Sequence, residues 1–112
     1  MTPEEIVSLV SAAGIVCRKS FFPGKVPALT QAMAVVHRKQ VRDGVEEFSV
    51  TAAVPSFLGG LLCEDTAWSI YKVLTDHGGS CTLAPCEFDG QADCFFQEVT
   101  VSWVESELSE SV

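Results

Sequence analysis

The chain is short of positive charge. Of its 112 residues 7 are Lys or Arg and 15 are Asp or Glu, for a net charge of −8. Such a field repels phosphate backbones instead of collecting them, so no nucleic-acid partner is expected, sequence-specific or otherwise. Long hydrophobic runs are also missing. The longest are broken within a few residues by Arg18, Lys19, His37 or Glu64, and none approaches the roughly 20 residues that span a bilayer. No membrane partner is expected. From the acidic, helix-patterned beginning no secretory leader is expected, and the cytosol is the expected compartment. Catalytic signatures are absent as well: there is no nucleophile elbow, phosphate-cradling glycine loop, HExxH or paired CxxC.

The residue types of an active site occur without the arrangement that gives them roles. Cys81 or Cys86 near His77 offers a nucleophile and a base in sequence, but no third group to orient the base and no oxyanion donor at a defined turn. Glu46 and Glu47 are neighbours in an extended segment and point to opposite faces, so they cannot flank one bond. Five cysteines, Cys17, Cys63, Cys81, Cys86 and Cys94, are odd in number and unevenly spaced, which argues against a disulfide framework. Cys81, Cys86, Cys94 and His77 are four potential zinc ligands within 18 residues, but structural zinc sites usually pair their ligands on two tight knuckles, and Cys86 and Cys94 stand too far apart for the second, so no zinc is expected. Reduced, buried thiols are the expectation, with no cofactor and no metal. Because Cys86 and Cys94 flank Asp89-Gly90, they are expected to face each other across a hairpin.

What the sequence does contain is well-ordered punctuation. A chain of 12.0 kDa buries roughly 65% of its unfolded surface as one domain, enough for a single core. Thr2, Pro3 and Glu5 stand in capping-box register before Ile6, Leu9, Val10 and Ala13, and Gly14 ends that helix. A strand is predicted over Ile15 to Phe22 and a loop over Phe22 to Pro27. Met33 to Val41 and Glu47 to Val54 read as a long hairpin around Asp43-Gly44, with Phe48, Val50, Ala52 and Val54 on the buried side. A second helix is predicted from about Glu64 to His77, with Ala67, Ile70, Tyr71 and Leu74 inward and Gly78-Gly79 beyond its end. Ser80 to Phe88 and Cys94 to Val104 form the second hairpin. The expected fold is α+β: helix, strand, long β-hairpin, helix, β-hairpin, in a mixed or antiparallel sheet with helices packed on one face. It occupies residues 1–104, followed by an acidic flexible tail over 105–112.

With its opening MTPEEIVSLVSAAGI, long central hairpin, single amphipathic helix and closing FFQEVTVSWVE, the chain resembles small phage and prophage tail proteins. In layout it is most similar to tail terminators and related minor capsid or tail-completion proteins. The resemblance implies an α+β subunit that assembles with itself into a ring, commonly a hexamer. The ring caps the tail tube protein and presents a surface to the head-tail connector protein. It also implies residence in the bacterial host cytoplasm and then in the virion tail. The alternative is a small acidic cytosolic regulator or adaptor acting through protein–protein contact.

Hydrophobic residues make up 47% of the chain, and with the glycines this exceeds the usual range of roughly 45–50%, so some apolar surface is available for a partner. The residues expected to supply it are Phe57, Leu58, Leu61 and Leu62, in a segment too apolar for a solvated loop and too glycine-rich to be rigid. The same segment would also serve as a lead-in covering the core under the second helix. Phe21, Phe22 and Lys25 form a second candidate patch, beside Arg18-Lys19. Trp68 sits at the border of its helix's apolar stripe, where both an interface anchor and a core-edge side chain fit. His37 is read as a surface residue.

Overall fold

The computed structural model describes residues 1–19 and 30–104. Helix α1 (Pro3–Ala12) opens as its sequence dictates: the Thr2 hydroxyl accepts from the Glu5 N–H at 3.2 Å, and Pro3 occupies the first turn. One orphan donor of the helix start is thereby satisfied. Helix α2 covers Gly60–Asp76. Both helices stop the same way. The Gly14 N–H (φ 88°) donates to Ser11 O and the Ile15 N–H to Val10 O; the Gly78 N–H (φ 84°) donates to Thr75 O and the Gly79 N–H to Leu74 O at 2.9 Å. This double bond pattern needs one left-handed residue, a conformation that glycine adopts without a Cβ penalty.

Strands β1 (Cys17–Lys19), β2 (Met33–Arg42), β3 (Val45–Pro55), β4 (Ser80–Leu83), β5 (Glu87–Asp89) and β6 (Cys94–Val104) make one sheet among the described residues. Its order is β1-β2-β3-β6-β4, with β5 following β4 along the same side of β6. β1 and β2 run parallel and every other pair is antiparallel, so the sheet is mixed and the fold α+β. Asp43 (φ 52°) and Gly44 (φ 77°) form the turn between β2 and β3, the two-residue geometry whose twist matches that of the strands it joins.

Alternation along the strands decides which side chains face the helices. Ala34 and Val36 of β2, Phe48, Val50, Ala52 and Val54 of β3, and Val99, Val101 and Trp103 of β6 meet Ile6 and Val10 of α1 and Cys63, Ala67, Ile70 and Leu74 of α2. Both helices therefore cover the same face. Each large side chain so buried contributes roughly 1.5–3 kcal/mol of transfer free energy. Trp103 keeps its indole N–H satisfied by donating to His77 O at 3.1 Å. The opposite face of β3 is polar: the Ser49 hydroxyl donates to the Glu98 carboxylate at 2.6 Å, and Lys39 lies 3.6 Å from it.

Four expectations are corrected. Ala13 is exposed, because it caps α1 instead of facing the core. The strand expected over Ser80–Phe88 is interrupted at Ala84-Pro85-Cys86. Pro85 has no N–H to give the ladder, and Ala84 is held instead by its N–H to Glu98 O (2.9 Å) and by Gln97 Nε2 to its carbonyl (2.7 Å). Cys86 and Cys94 do not face each other. Cys94 stands opposite Asp89 and Phe88 opposite Phe95, because a four-residue turn over 90–93 closes this hairpin, braced by the Asp89 side chain accepting from Gln91 and Ala92 N–H groups. Finally, β1 begins at Cys17, not Ile15. Phe21, Phe22 and Lys25, the loop predicted around them and the tail over 105–112 lie outside the described residues.

Candidate functional site

The segment expected to be flexible is helical. Ser56–Leu58 forms a single 3₁₀ turn, Gly59 takes φ 90°, and α2 begins at Gly60, four residues earlier than its sequence pattern suggests. The glycine pair accounts for the difference. Gly59 supplies a left-handed entry, and a Cβ on Gly60 would stand 3.3 Å from the Phe95 ring, so this glycine lets the helix start close to β6.

Three further contacts gather the surroundings into one end of the molecule. Ser56 N–H donates to Asp93 O at 3.0 Å, which joins the 3₁₀ turn to the 90–93 turn. Phe95 lies beneath Gly60, and Phe88 stacks on Phe95 with ring centroids 5.1 Å apart. The result is an apolar cap: Phe57 is 73% exposed, Leu61 78% and Phe88 54%, with Leu58 and Leu62 partly covered at 40% and 37%. All four residues singled out in this segment are brought together there. The reading of the segment as a cover for the core does not describe Phe57 or Leu61.

One contributor lies outside the sequence reading, and another stands there between two readings. Phe88 falls in the strand predicted over Ser80 to Phe88, and its exposure goes with the break at Pro85, whose missing N–H is itself a signal of interruption. Trp68, placed at the core edge or at an interface, is 57% exposed and packs edge-on against Tyr71 at 5.3 Å. It lies seven residues beyond Leu61, on the same side of the helix, beside a shallow groove of about 360 Å³ lined by Trp68, Ser69, Tyr71, Lys72, Thr75 and Asp76. Isolated exposed apolar residues are ordinary; a large contiguous group is what marks an interaction surface.

The rim is acidic. Glu64, Asp65, Glu87, Asp89 and Asp93 are all exposed around the cap. Beneath it the chemistry is inert: burial pushes the Cys63 thiol up to about 12, the neighbouring Cys86 thiol adding to the effect, and the thiol donates weakly to Ala52 O. A nucleophilic cysteine needs the opposite, a depressed value in an electropositive setting. Among the described residues no three His, Cys, Asp or Glu side chains lie close enough to hold a metal ion, and no helix is long and apolar enough to cross a membrane. His37 is half-buried on the polar sheet face opposite Ser49, and His77 bonds Val73 O at the end of α2. Among the described residues the surface at this end thus offers apolar area and negative charge. Compared with family models, curated proteins and solved structures, the chain shows no match.

Proposed function

We propose that the chain is a self-assembling structural subunit, in the role that its likeness to tail terminators implies: a ring that caps a tail tube and meets the head connector. The observation that carries this reading is the exposed cap of Phe57, Leu58, Leu61, Leu62 and Phe88 at the start of α2. Burying Phe57 and Leu61 alone in a neighbour gains roughly 3–6 kcal/mol of gross transfer free energy per contact, before the costs of ordering and association. A ring repeats that gain at every subunit.

The test is the double substitution Leu58→Asp/Leu61→Asp, followed by circular dichroism and multi-angle light scattering. Because these side chains stand 40% and 78% exposed, the variant is expected to keep its fold, to remain monomeric and to lose the ability to cap tubes. Normal assembly by the folded variant overturns the proposal.

A further inference from the structure

The outer face of α2 carries a row that continues beyond the apolar cap. Leu61, Asp65, Trp68, Lys72 and Thr75 recur at steps of four, three, four and three, and all five are exposed. That is the spacing of a helix-pairing seam, in which every member of the row faces one neighbouring helix. Trp68, at the middle of the row, is braced edge-on by Tyr71 and borders the groove of about 360 Å³ that reaches Thr75 and Asp76. Asp65 and Lys72 flank it with opposite charges. They stand two helical turns apart, about 10 Å along the axis, too far to pair within one chain, and neither has an ion-pair partner among the described residues.

The order of the row decides how a second copy can lie on it. Laid parallel on itself, the row sets Asp65 against Asp65 and Lys72 against Lys72, and such like-charge juxtaposition is unfavourable. Turned end for end about Trp68, it sets Asp65 of each copy against Lys72 of the other, Leu61 against Thr75 and Trp68 against Trp68. The row is self-complementary in this direction alone. We infer that α2 of one copy packs antiparallel on α2 of a second about a two-fold axis at Trp68, each groove receiving the other copy's indole, with an Asp65 to Lys72 pair on either side of the axis. An aromatic centre shielded from water is where such a contact gains most of its strength, and one helix face per copy places it in the small, weak class of interface. The inference shares with the ring reading the premise that the chain meets itself, and goes beyond it. Being isologous, the contact closes at two copies and cannot by itself build a ring; it is a second contact, with Leu61 common to both.

Charge reversal in two separate chains tests the pairing. Lys72→Glu makes the row acidic at both flanking positions, and Asp65→Lys makes it basic at both. Each position is exposed, and circular dichroism verifies the fold. In sedimentation velocity on concentrated protein the wild-type chain is expected to show dimers, and each variant alone to dimerise roughly ten- to a hundredfold more weakly, because both attractive pairs become repulsive. Mixed in equal amounts, the two variants should restore a dimer containing one copy of each, since the acidic row of one then lies on the basic row of the other. If either variant dimerises like the wild type, or the mixture stays monomeric, the antiparallel pairing is wrong; loss of assembly in Leu58→Asp/Leu61→Asp would then leave the cap reading standing without it. If the wild-type chain is monomeric at every concentration, a second copy is not the occupant and both fall.

Discussion

The inward and outward faces of α2 carry apolar side chains of similar kind and meet opposite fates. Inward, Cys63, Ala67, Ile70 and Leu74 recur at four-, three- and four-residue steps and are completely buried against β3, β6 and α1. Outward, Leu61 and Trp68 lie seven residues apart and are mostly in water. A helix lying on a sheet needs only one apolar stripe to hold its place. The outward pair adds little to the stability of the chain on its own, and it is the area that the proposed self-association would use. The inward face fixes where α2 lies, and the outward face is not needed for that.

The largest effect should come from breaking the inward face. Leu74→Ala removes a fully buried side chain and is expected to cost about 2–5 kcal/mol in urea unfolding. Leu61→Ala should stay within about 0.5 kcal/mol while weakening association. Equal losses of stability at the two positions would erase the distinction between the faces.

A smaller effect measures how closely the end of α2 is held to the sheet. A Cβ on Gly79 would stand 2.6 Å from Val101 Cγ2 and 2.9 Å from the Leu74 carbonyl oxygen. The side chain can shift, but the carbonyl belongs to the helix's own end. Gly79→Ala should therefore destabilise by about 1–3 kcal/mol without changing the oligomeric state. A neutral substitution would mean that the α2–β4 link is looser than these distances require.

The smallest effect is a slope. With its thiol pushed up to about 12 in the fold from an ordinary value of 9.0, Cys63 holds its proton over a range in which the unfolded chain gives it up. Between those values the unfolded state binds fewer protons, so stability falls as pH rises above about 9. Cys17, raised to about 11 by burial, acts in the same direction. In Cys63→Ala, urea titrations at pH 8 to 10.5 under reducing conditions should show a lower baseline stability and a shallower decline with pH. An unchanged slope would place the Cys63 thiol in contact with water, contrary to its position on the inward face.

Much of the frame was legible in the residues themselves. Asp43-Gly44 announced its turn because a two-residue hairpin needs two positive φ angles, and Gly14 and Gly78 announced helix ends for the same reason. The inward stripe of α2 was readable through Ala67, Ile70 and Leu74, since helical periodicity is a property of nearby residues. The start of α2 was not. Gly59 and Gly60 looked like slack, whereas Gly60 is placed by Phe95, thirty-five positions away. Phe88 was hidden for a related reason: its strand is displaced by the pause at Pro85, and only the pairing with β6 shows which side is left uncovered.

By itself, then, the sequence determined the class of fold, the buried stripes and most of the turns, because each depends on dihedral preferences and periods within a dozen residues. It also determined the excess of acid in the second half. Only the tertiary structure decided that β1 runs parallel to β2, that α2 starts four residues early, and that Phe57, Leu61, Trp68 and Phe88 remain in water. Exposure is not a property of a side chain but of what lies across from it. With both helices on one face of the sheet, the described chain has no further layer over the outer side of α2, and the apolar side chains there stay exposed.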